Sequence, residues 1–239
     1  MLGVFDSGRG GRNALAALQK IAPHADIVFF ADTDNAPYGT KSAEELCRLI
    51  VRDITLLRKA GASEILMACC TASCLHARLP DALRRNTFPI LEPTATAAVG
   101  VSQAHRYAVL ATEATVRSGQ FKARLRERVP QAQVLSLAAP QLVTLAECER
   151  TSREDPEVRR VLAPLCERIA AFAADTVLLG CTHFSPFAAA VRLLLPGVHV
   201  VGSAEEGAQA FAASLPASSL SGSGNVFELY ANGALQKYT

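Results

Sequence analysis

Short apolar runs alternate with amphipathic segments along the first part of the chain. Residues 2–5, 27–30 and 65–68 are apolar runs of the length of a buried strand, and the first two lead into turns rich in polar residues or glycine. Apolar residues recur at helical spacing from Asn13 onward and again over residues 42–60. Strands that alternate with amphipathic helices predict βαβ units, and therefore a parallel sheet covered by helices on both faces.

The same alternation begins again after Pro93. It predicts strands at residues 107–111, 133–137 and 176–180 and helices at residues 117–128 and 157–173. The second half of the chain thus has the same alternation of strands and helices as the first.

A local similarity between the halves supports a duplicated architecture. Residues 64–69 and 176–181 share one pattern, in which a buried strand follows a helix, ends in cysteine and is followed within two residues by threonine. Two facing α/β domains would follow. Near the end of the chain, residues 216–224 are rich in serine and glycine and are predicted to form a surface loop, followed by a last short strand over residues 226–230.

Composition excludes several classes of protein. The 239 residues carry 24 Lys and Arg against 22 Asp and Glu, and this balance leaves no basic excess for binding nucleic acid. No apolar run reaches the ~18 residues of a membrane helix, and the first residues do not resemble a signal peptide. We therefore expect a cytoplasmic protein with no membrane or nucleic-acid partner, in which most of the seven cysteines are reduced.

Two cysteines occupy positions that favour chemistry. Cys69 and Cys181 each follow a predicted buried strand, and the carboxyl ends of parallel strands line the ligand crevice of α/β sheets. A helix that starts there favours the thiolate. The alternative is that both are small core residues, which is the better interpretation of Cys47 and Cys166.

A metal site or a nucleotide site has less support. Cys69, Cys70, Cys74 and His76 lie close together in sequence, but their spacing matches no structural zinc motif. The glycine-rich turn over residues 8–11 is neither a dinucleotide fingerprint nor a P-loop. A small carboxylate is a ligand of the size that such a turn suits.

The chain resembles the glutamate racemases of the cofactor-independent aspartate/glutamate racemase superfamily. The similarity spans nearly the whole length, and its motifs are specific as an ordered set. They are Gly3-Val-Phe-Asp-Ser-Gly-Arg-Gly-Gly11, Ala31-Asp-Thr33, Pro37-Tyr-Gly-Thr-Lys-Ser42, Ala68-Cys-Cys-Thr-Ala-Ser73, Glu92-Pro93, Leu145-Ala-Glu147 and Leu179-Gly-Cys-Thr-His183.

The resemblance implies two pseudosymmetric, flavodoxin-like α/β domains with mainly parallel sheets and the active site in the cleft between them. One domain would contain residues 1–94 and 203–239, and the other residues 95–202. It also implies a small-molecule substrate, an amino acid, and a homodimer; neither pyridoxal phosphate nor a metal is implied.

The resemblance also implies roles for individual residues. Cys69 and Cys181 would be the acid/base pair that moves a proton at the α-carbon of glutamate, with Asp6, Glu147 and His183 as catalytic helpers. The substrate site would be lined by Asp6, Ser7, Tyr38, Gly39, Cys70, Thr71, Thr182 and His183. The product, D-glutamate, would serve peptidoglycan synthesis.

Three residues depart from the usual pattern of this family. Cys70 stands where an asparagine is usual, Arg9 where an aliphatic residue is usual, and Gly202 where an aspartate is usual. A thiol donates and accepts hydrogen bonds more weakly than an amide. The sequence therefore leaves two alternatives open: a paralogue that racemises aspartate or another amino acid, and a binding or regulatory protein of the same fold without turnover.

Overall fold

The computed structural model describes residues 1–238, which form ten strands and eleven α-helices. The strands are β1 (Leu2–Asp6), β2 (Ile27–Ala31), β3 (Glu64–Met67), β4 (Thr87–Pro89), β5 (Arg106–Ala111), β6 (Gln133–Ala138), β7 (Thr176–Gly180), β8 (His199–Gly202), β9 (Val226–Leu229) and β10 (Leu235–Lys237). The helices are α1 (Gly11–Ile21), α2 (Ala43–Lys59), α3 (Cys70–Ser73), α4 (Asp81–Arg84), α5 (Leu91–Val101), α6 (Glu113–Ser118), α7 (Gln120–Arg128), α8 (Pro140–Glu147), α9 (Pro156–Ala171), α10 (Ala188–Leu194) and α11 (Ser203–Ser214).

The strands form two sheets, and both are mainly parallel. The first has the order β10-β9-β2-β1-β3-β4, in which only the β9–β10 pair is antiparallel. The second has the order β6-β5-β7-β8, and all its pairs are parallel. The predicted fold class, two mainly parallel α/β units, is confirmed.

The two sheets repeat one topology. The strands β2-β1-β3-β4 of the first sheet and β6-β5-β7-β8 of the second follow the same order of connection. β3 and β7, which precede Cys69 and Cys181, hold equivalent places beside the central strands β1 and β5. The domain boundaries themselves, at residues 94 and 203, remain a prediction.

Burial explains why these segments form strands and helices. All five residues of β1 and of β7 are buried, as expected for strands covered on both faces. α2 buries a stripe that includes Leu46, Ile50 and Leu57, and the Ser42 hydroxyl caps its first turn by accepting from the Glu45 amide at 3.2 Å.

A continuous apolar cluster joins the sheets. It contains Val4 and Leu66 from the first sheet and Val109 and Leu178 from the second, packed with residues of α5 and α11. α11 packs against β3 of the first sheet and against β7 and β8 of the second, and α5 packs against α11, β7 and β8.

One predicted helix is wrong in its extent. Residues 117–128 form parts of two helices, α6 and α7, and the break lies at Gly119, which has a φ of +65°. Glycine adopts this left-handed conformation without the penalty that a Cβ brings, and it therefore ends one helix and starts the next.

The other predicted elements are present within one or two residues. The predicted surface loop at residues 216–224 includes a short 3-10 turn, Ala217–Leu220, and the predicted last strand ends at Leu229. Within residues 1–238, no helix has the length and apolar character needed to cross a membrane.

Candidate active site

The carboxyl ends of β1, β3, β5 and β7 open onto one cavity of about 480 Å³. Each strand contributes at least one side chain that directly follows it or lies within two residues of its end, among them Ser7, Cys69, Thr112 and Cys181. This is the edge of parallel sheets where ligands bind, and the volume is typical of a small-molecule site.

The cavity brings together nearly all the residues predicted to form the site. Those that line it are Ser7, Tyr38, Gly39, Cys69, Cys70, Thr71, Glu147, Cys181, Thr182 and His183. Asp6 is the exception. It is fully buried behind the wall, and it reaches the cavity through Thr182, whose hydroxyl donates to its Oδ2 at 2.9 Å.

Cys69 lies among neutral or negative groups. Its Sγ is 3.3 Å from the Ser7 hydroxyl and accepts from the Ala72 amide at 3.5 Å. Burial, reinforced by the negative charge of Asp6, raises the pKa of the Cys69 thiol to about 12. The resting form of Cys69 is therefore the thiol.

Cys181 lies beside a cation. Its Sγ is 3.7 Å from His183 Nδ1, and His183 Nε2 is 2.5 Å from Glu147 Oε1. Burial alone would lower the pKa of His183, but hydrogen bonds to Cys181 and Glu147, together with the charges of a Cys181 thiolate and of Asp6, outweigh it and raise this pKa to about 11. An imidazolium and a thiolate side by side stabilise each other.

The imidazolium determines the direction of the hydrogen bonds around it. In the protonated ring Nε2 donates to Glu147 Oε1, and the Gly10 amide N–H points at the same nitrogen from 3.2 Å, where it would donate to the neutral ring. The hydrogen bond from His183 lowers the pKa of Glu147. A Cβ at Gly10 would lie 2.5 Å from His183 Nδ1, so only glycine fits against this ring.

Arg9 lies at the outer edge of the same group. Its Nε is 3.8 Å from Glu147 Oε2, and its guanidinium also approaches Glu149 at 3.9 Å. The Arg9 side chain is 55% exposed. The unusual arginine therefore faces the back of the Glu147–His183 pair.

Tyr38 contributes its ring and backbone to the cavity, because its hydroxyl is engaged elsewhere. That hydroxyl lies 2.7 Å from Asp32 Oδ2 and 2.8 Å from Asp53 Oδ2. The predicted substrate contact of Tyr38 is thus restricted to its other atoms.

The structure adds residues that the sequence analysis missed. The hydroxyls of Thr71, Thr112 and Thr115 form a cluster with mutual distances of 2.9 to 3.2 Å, which spans both halves of the molecule. Thr112 directly follows β5, so the rule that pointed to Cys69 and Cys181 could also have found it. Pro140, Val143, Thr144 and the exposed Cys148 complete the wall on the α8 side.

The remaining cysteines occupy varied places. Cys70 is buried, lines the cavity and has a thiol pKa raised by burial, whereas Cys166 packs in the core and Cys47 is half-buried on α2. Within residues 1–238, no three His, Cys, Asp or Glu side chains are grouped so as to hold a metal ion.

Sequence comparison assigns the chain to a known family. A model of the Asp/Glu/Hydantoin racemase family matches residues 12–211. The chain belongs to this family. Within this racemase family it is similar to the glutamate racemase of Desulforudis audaxviator, with 38% identity over 84% of this chain and 73% of the relative. It is also 35% identical to the glutamate racemase of Picosynechococcus, over 84% of this chain and 70% of that protein. The chain is accordingly an amino-acid racemase, which is an isomerase.

Solved structures of glutamate racemases share its fold. An isoform from Bacillus anthracis aligns with a TM-score of 0.83 at 27% identity, over 95% of this chain and 86% of that one. The enzyme from Thermus thermophilus, solved with β-chloro-D-alanine, aligns with a TM-score of 0.78 at 33% identity over the same shares of the two chains.

Proposed function

We propose that this racemase interconverts L- and D-glutamate by proton transfer between two cysteines. The observation that carries the proposal is the placement of Cys69 and Cys181, which end equivalent strands of the two sheets and line one cavity. The names of the relatives supply the substrate: several proteins at 34–38% identity are glutamate racemases.

The chemistry needs one thiolate and one thiol. The thiolate removes the α-proton from one face of the substrate while the opposite thiol donates its proton to the other face, so that atoms and charge balance. The reverse reaction uses the product of the forward one, with the two sulfurs in exchanged roles. His183 favours the thiolate at Cys181, and burial holds Cys69 as the thiol.

Apart from His183, the donors that can hold the substrate are neutral. Of the described residues that line the cavity, none is lysine or arginine. Thr71 and Thr112 line the cavity and offer two hydroxyls for the side-chain carboxylate, the buried Thr115 lies behind them, and Ser7 lies near the Cys69 sulfur. Donors fixed in a cavity that excludes water stabilise the charge that develops on the substrate as the α-proton leaves.

Two solved structures bear on the substrate. The glutamate racemase of Escherichia coli, 26% identical with a TM-score of 0.70, was solved with L-glutamate and an activator, UDP-MurNAc-ala. That of Francisella tularensis, whose 22% identity supports the fold alone, was solved with D-glutamate. Binding of both enantiomers by the present chain is part of the proposal.

The deciding experiment is NMR of the reduced protein in deuterated water, with L-glutamate, L-aspartate and other amino acids as substrates. We expect loss of the α-proton signal of glutamate together with loss of optical purity. Exchange of aspartate alone would assign the chain to a paralogue with another substrate. No exchange of any amino acid by folded protein would favour a binding protein instead.

The proposal extends to the cell. We propose that the enzyme acts in the cytoplasm as a homodimer and supplies D-glutamate for peptidoglycan. Expression in a bacterial strain that requires D-glutamate should restore growth without the supplement, and a Cys69→Ser variant should not. Sedimentation of the purified protein measures its mass in solution.

A further inference from the structure

A group of three buried polar side chains and one partly exposed arginine lies at the cavity wall, and the polar atoms of this group take no part in the proposed reaction. It consists of Asp32, Tyr38, Arg52 and Asp53, which we call the Tyr38 cluster. Asp32, Tyr38 and Asp53 are at most 1% exposed. Buried carboxylates are costly unless they are paired, so the arrangement of this cluster requires a reason.

The hydrogen bonds of the cluster require a proton on one carboxyl. The Tyr38 hydroxyl lies 2.7 Å from Asp32 Oδ2 and 2.8 Å from Asp53 Oδ2, but it has one proton and can donate to only one of them. The second short contact is a hydrogen bond only if that carboxyl donates to the tyrosine oxygen.

The surroundings identify Asp53 as the carboxyl that holds the proton. Arg52 Nη2 pairs with both carboxyls, at 2.7 Å from Asp32 Oδ1 and 2.6 Å from Asp53 Oδ1, whereas Asp32 alone also accepts from Asn35 Nδ2, at 2.9 Å. Burial, reinforced by the charge of Asp32, raises the pKa of Asp53 to about 7. Asp53 then donates to Tyr38, Tyr38 donates to Asp32, and Arg52 balances the single negative charge.

The cluster is connected directly to the cavity. Tyr38 belongs to residues 36–40, all of which line it. The next residue, Gly39, approaches Thr112 so closely that a Cβ there would lie 3.2 Å from the threonine Cβ. A shift of Tyr38 would therefore move the cavity wall against the Thr71–Thr112–Thr115 cluster.

We propose that Asp53 is a positioning residue that holds the cavity-lining segment 36–40 in place through a proton shared with the Tyr38 hydroxyl, so that substrate affinity weakens when this proton is lost. Loss of the proton leaves two carboxylates facing one hydroxyl, with Arg52 as the single cation. The titratable and charged groups that face Asp53 are Asp32 and Tyr38 from the β2 side and Arg52 from its own helix.

Asp53→Asn tests the proposal, because asparagine resembles the protonated acid. Its carbonyl can accept from Arg52, whose Nε is 2.8 Å from Asp53 Oδ1, while its amide can donate to Tyr38 at the position of Oδ2. The matched control is Glu44→Gln, the same change on the exposed side of α2, where the Glu44 side chain is 71% exposed.

The kinetic readout rests on the proposed function. Between pH 6 and pH 8.5 we expect KM for glutamate to rise about fivefold more in the wild type and Glu44→Gln than in Asp53→Asn, with kcat following the same profile in all three. Tyr38→Phe, which loses the hydroxyl, should have a raised KM already at pH 6. Parallel KM profiles for wild type and Asp53→Asn would overturn the proposal.

Hydrogen exchange provides a readout that does not depend on turnover. The amides of residues 38–41 should exchange faster in wild type than in Asp53→Asn at pH 8.5, and equally at pH 6. Equal exchange at both values would overturn the inference even if glutamate is racemised. If no amino acid is turned over, a difference in exchange would still support the positioning role, and only the proposed function would fail.

Discussion

The two cysteines lie at equivalent places in repeated sheets, yet their surroundings differ in charge. Cys69 follows β3 and is close to Ser7, with the buried Asp6 nearby. Cys181 follows β7 and lies beside His183, which is held protonated by Glu147. One topology thus produces two sites with opposite electrostatics, because the residues that differ lie in the loops and not in the strands.

This difference has a consequence for the reaction. In the proposed reaction, the enantiomer whose α-proton faces Cys181 meets a sulfur that lies beside His183. The other enantiomer needs the proton to reside on Cys181 and the charge on Cys69, where burial and Asp6 oppose it. The following variants test this asymmetry, from the largest expected effect to the smallest.

Removal of either sulfur should abolish most of the activity. Cys69→Ser and Cys181→Ser should each lower the rate of racemisation by about 10²- to 10⁴-fold, since a hydroxyl is a far weaker acid and base partner at neutral pH. The measurement is the rate of change in optical rotation from each enantiomer. Cys47→Ser, on α2 away from the cavity, is the control and should be nearly neutral. Equal activity of all three variants would show that Cys69 and Cys181 do not transfer the proton.

Gly10→Ala should damage the Cys181 side alone. The new Cβ would lie 2.5 Å from His183 Nδ1 and 2.7 Å from Thr182 Oγ1, so the imidazole must move. A displacement of this size costs about 10²-fold in rate. The matched control is Gly100→Ala on α5, where a Cβ meets nothing within 4 Å and should slightly stabilise the helix. Full activity of Gly10→Ala would contradict the placement of His183.

Glu147→Gln should shift the pH dependence of the Cys181 side. The pKa of His183 is raised to about 11 partly by Glu147, so the neutral amide lowers it and the imidazolium is lost at lower pH. We expect the alkaline fall in kcat/KM to begin about one to two pH units earlier. The pH profile should be recorded with each enantiomer as substrate. An unchanged alkaline limb would show that Glu147 does not raise the pKa of His183.

Arg9→Ala should produce a small effect in the opposite direction. The guanidinium is half exposed and 3.8 Å from Glu147, and such pairs have little energy in water. Its removal frees Glu147 to interact more strongly with His183, so the alkaline limb should move slightly upward while the rate changes by less than about threefold. A shift to lower pH, or a large loss of rate, would show that Arg9 has a different role.

Much of the fold could be predicted from hydrophobic pattern. The strands that precede Cys69 and Cys181 are fully or nearly fully buried, and four consecutive apolar residues between turns are a strong local signal. The break at Gly119 was missed. A single glycine inside a helical pattern can continue the helix or end it in a left-handed turn, and no feature of the local sequence distinguishes the two cases.

The candidate site could be predicted only in part. Ser7, Thr71 and His183 were found because they belong to motifs that resemble those of the family, and all three line the cavity. Thr112 was missed although it directly follows a predicted strand, and Thr115 was missed because nothing in its local sequence connects it with Thr71 some forty residues earlier. The engagement of the Tyr38 hydroxyl by Asp53 was also invisible, because the two residues meet only when α2 packs against the first sheet.

The sequence by itself determined the alternation of strands and helices, the repetition of one unit and the two cysteines at strand ends. These features depend on the local hydrophobic pattern and on its recurrence in the second half of the chain. Only the tertiary structure decided which charges surround each sulfur. His183, Glu147 and Arg9 come from three separate segments, and Asp6 reaches the second half through Thr182. The difference between the two sites is a matter of distances across the fold, and such distances are set by packing.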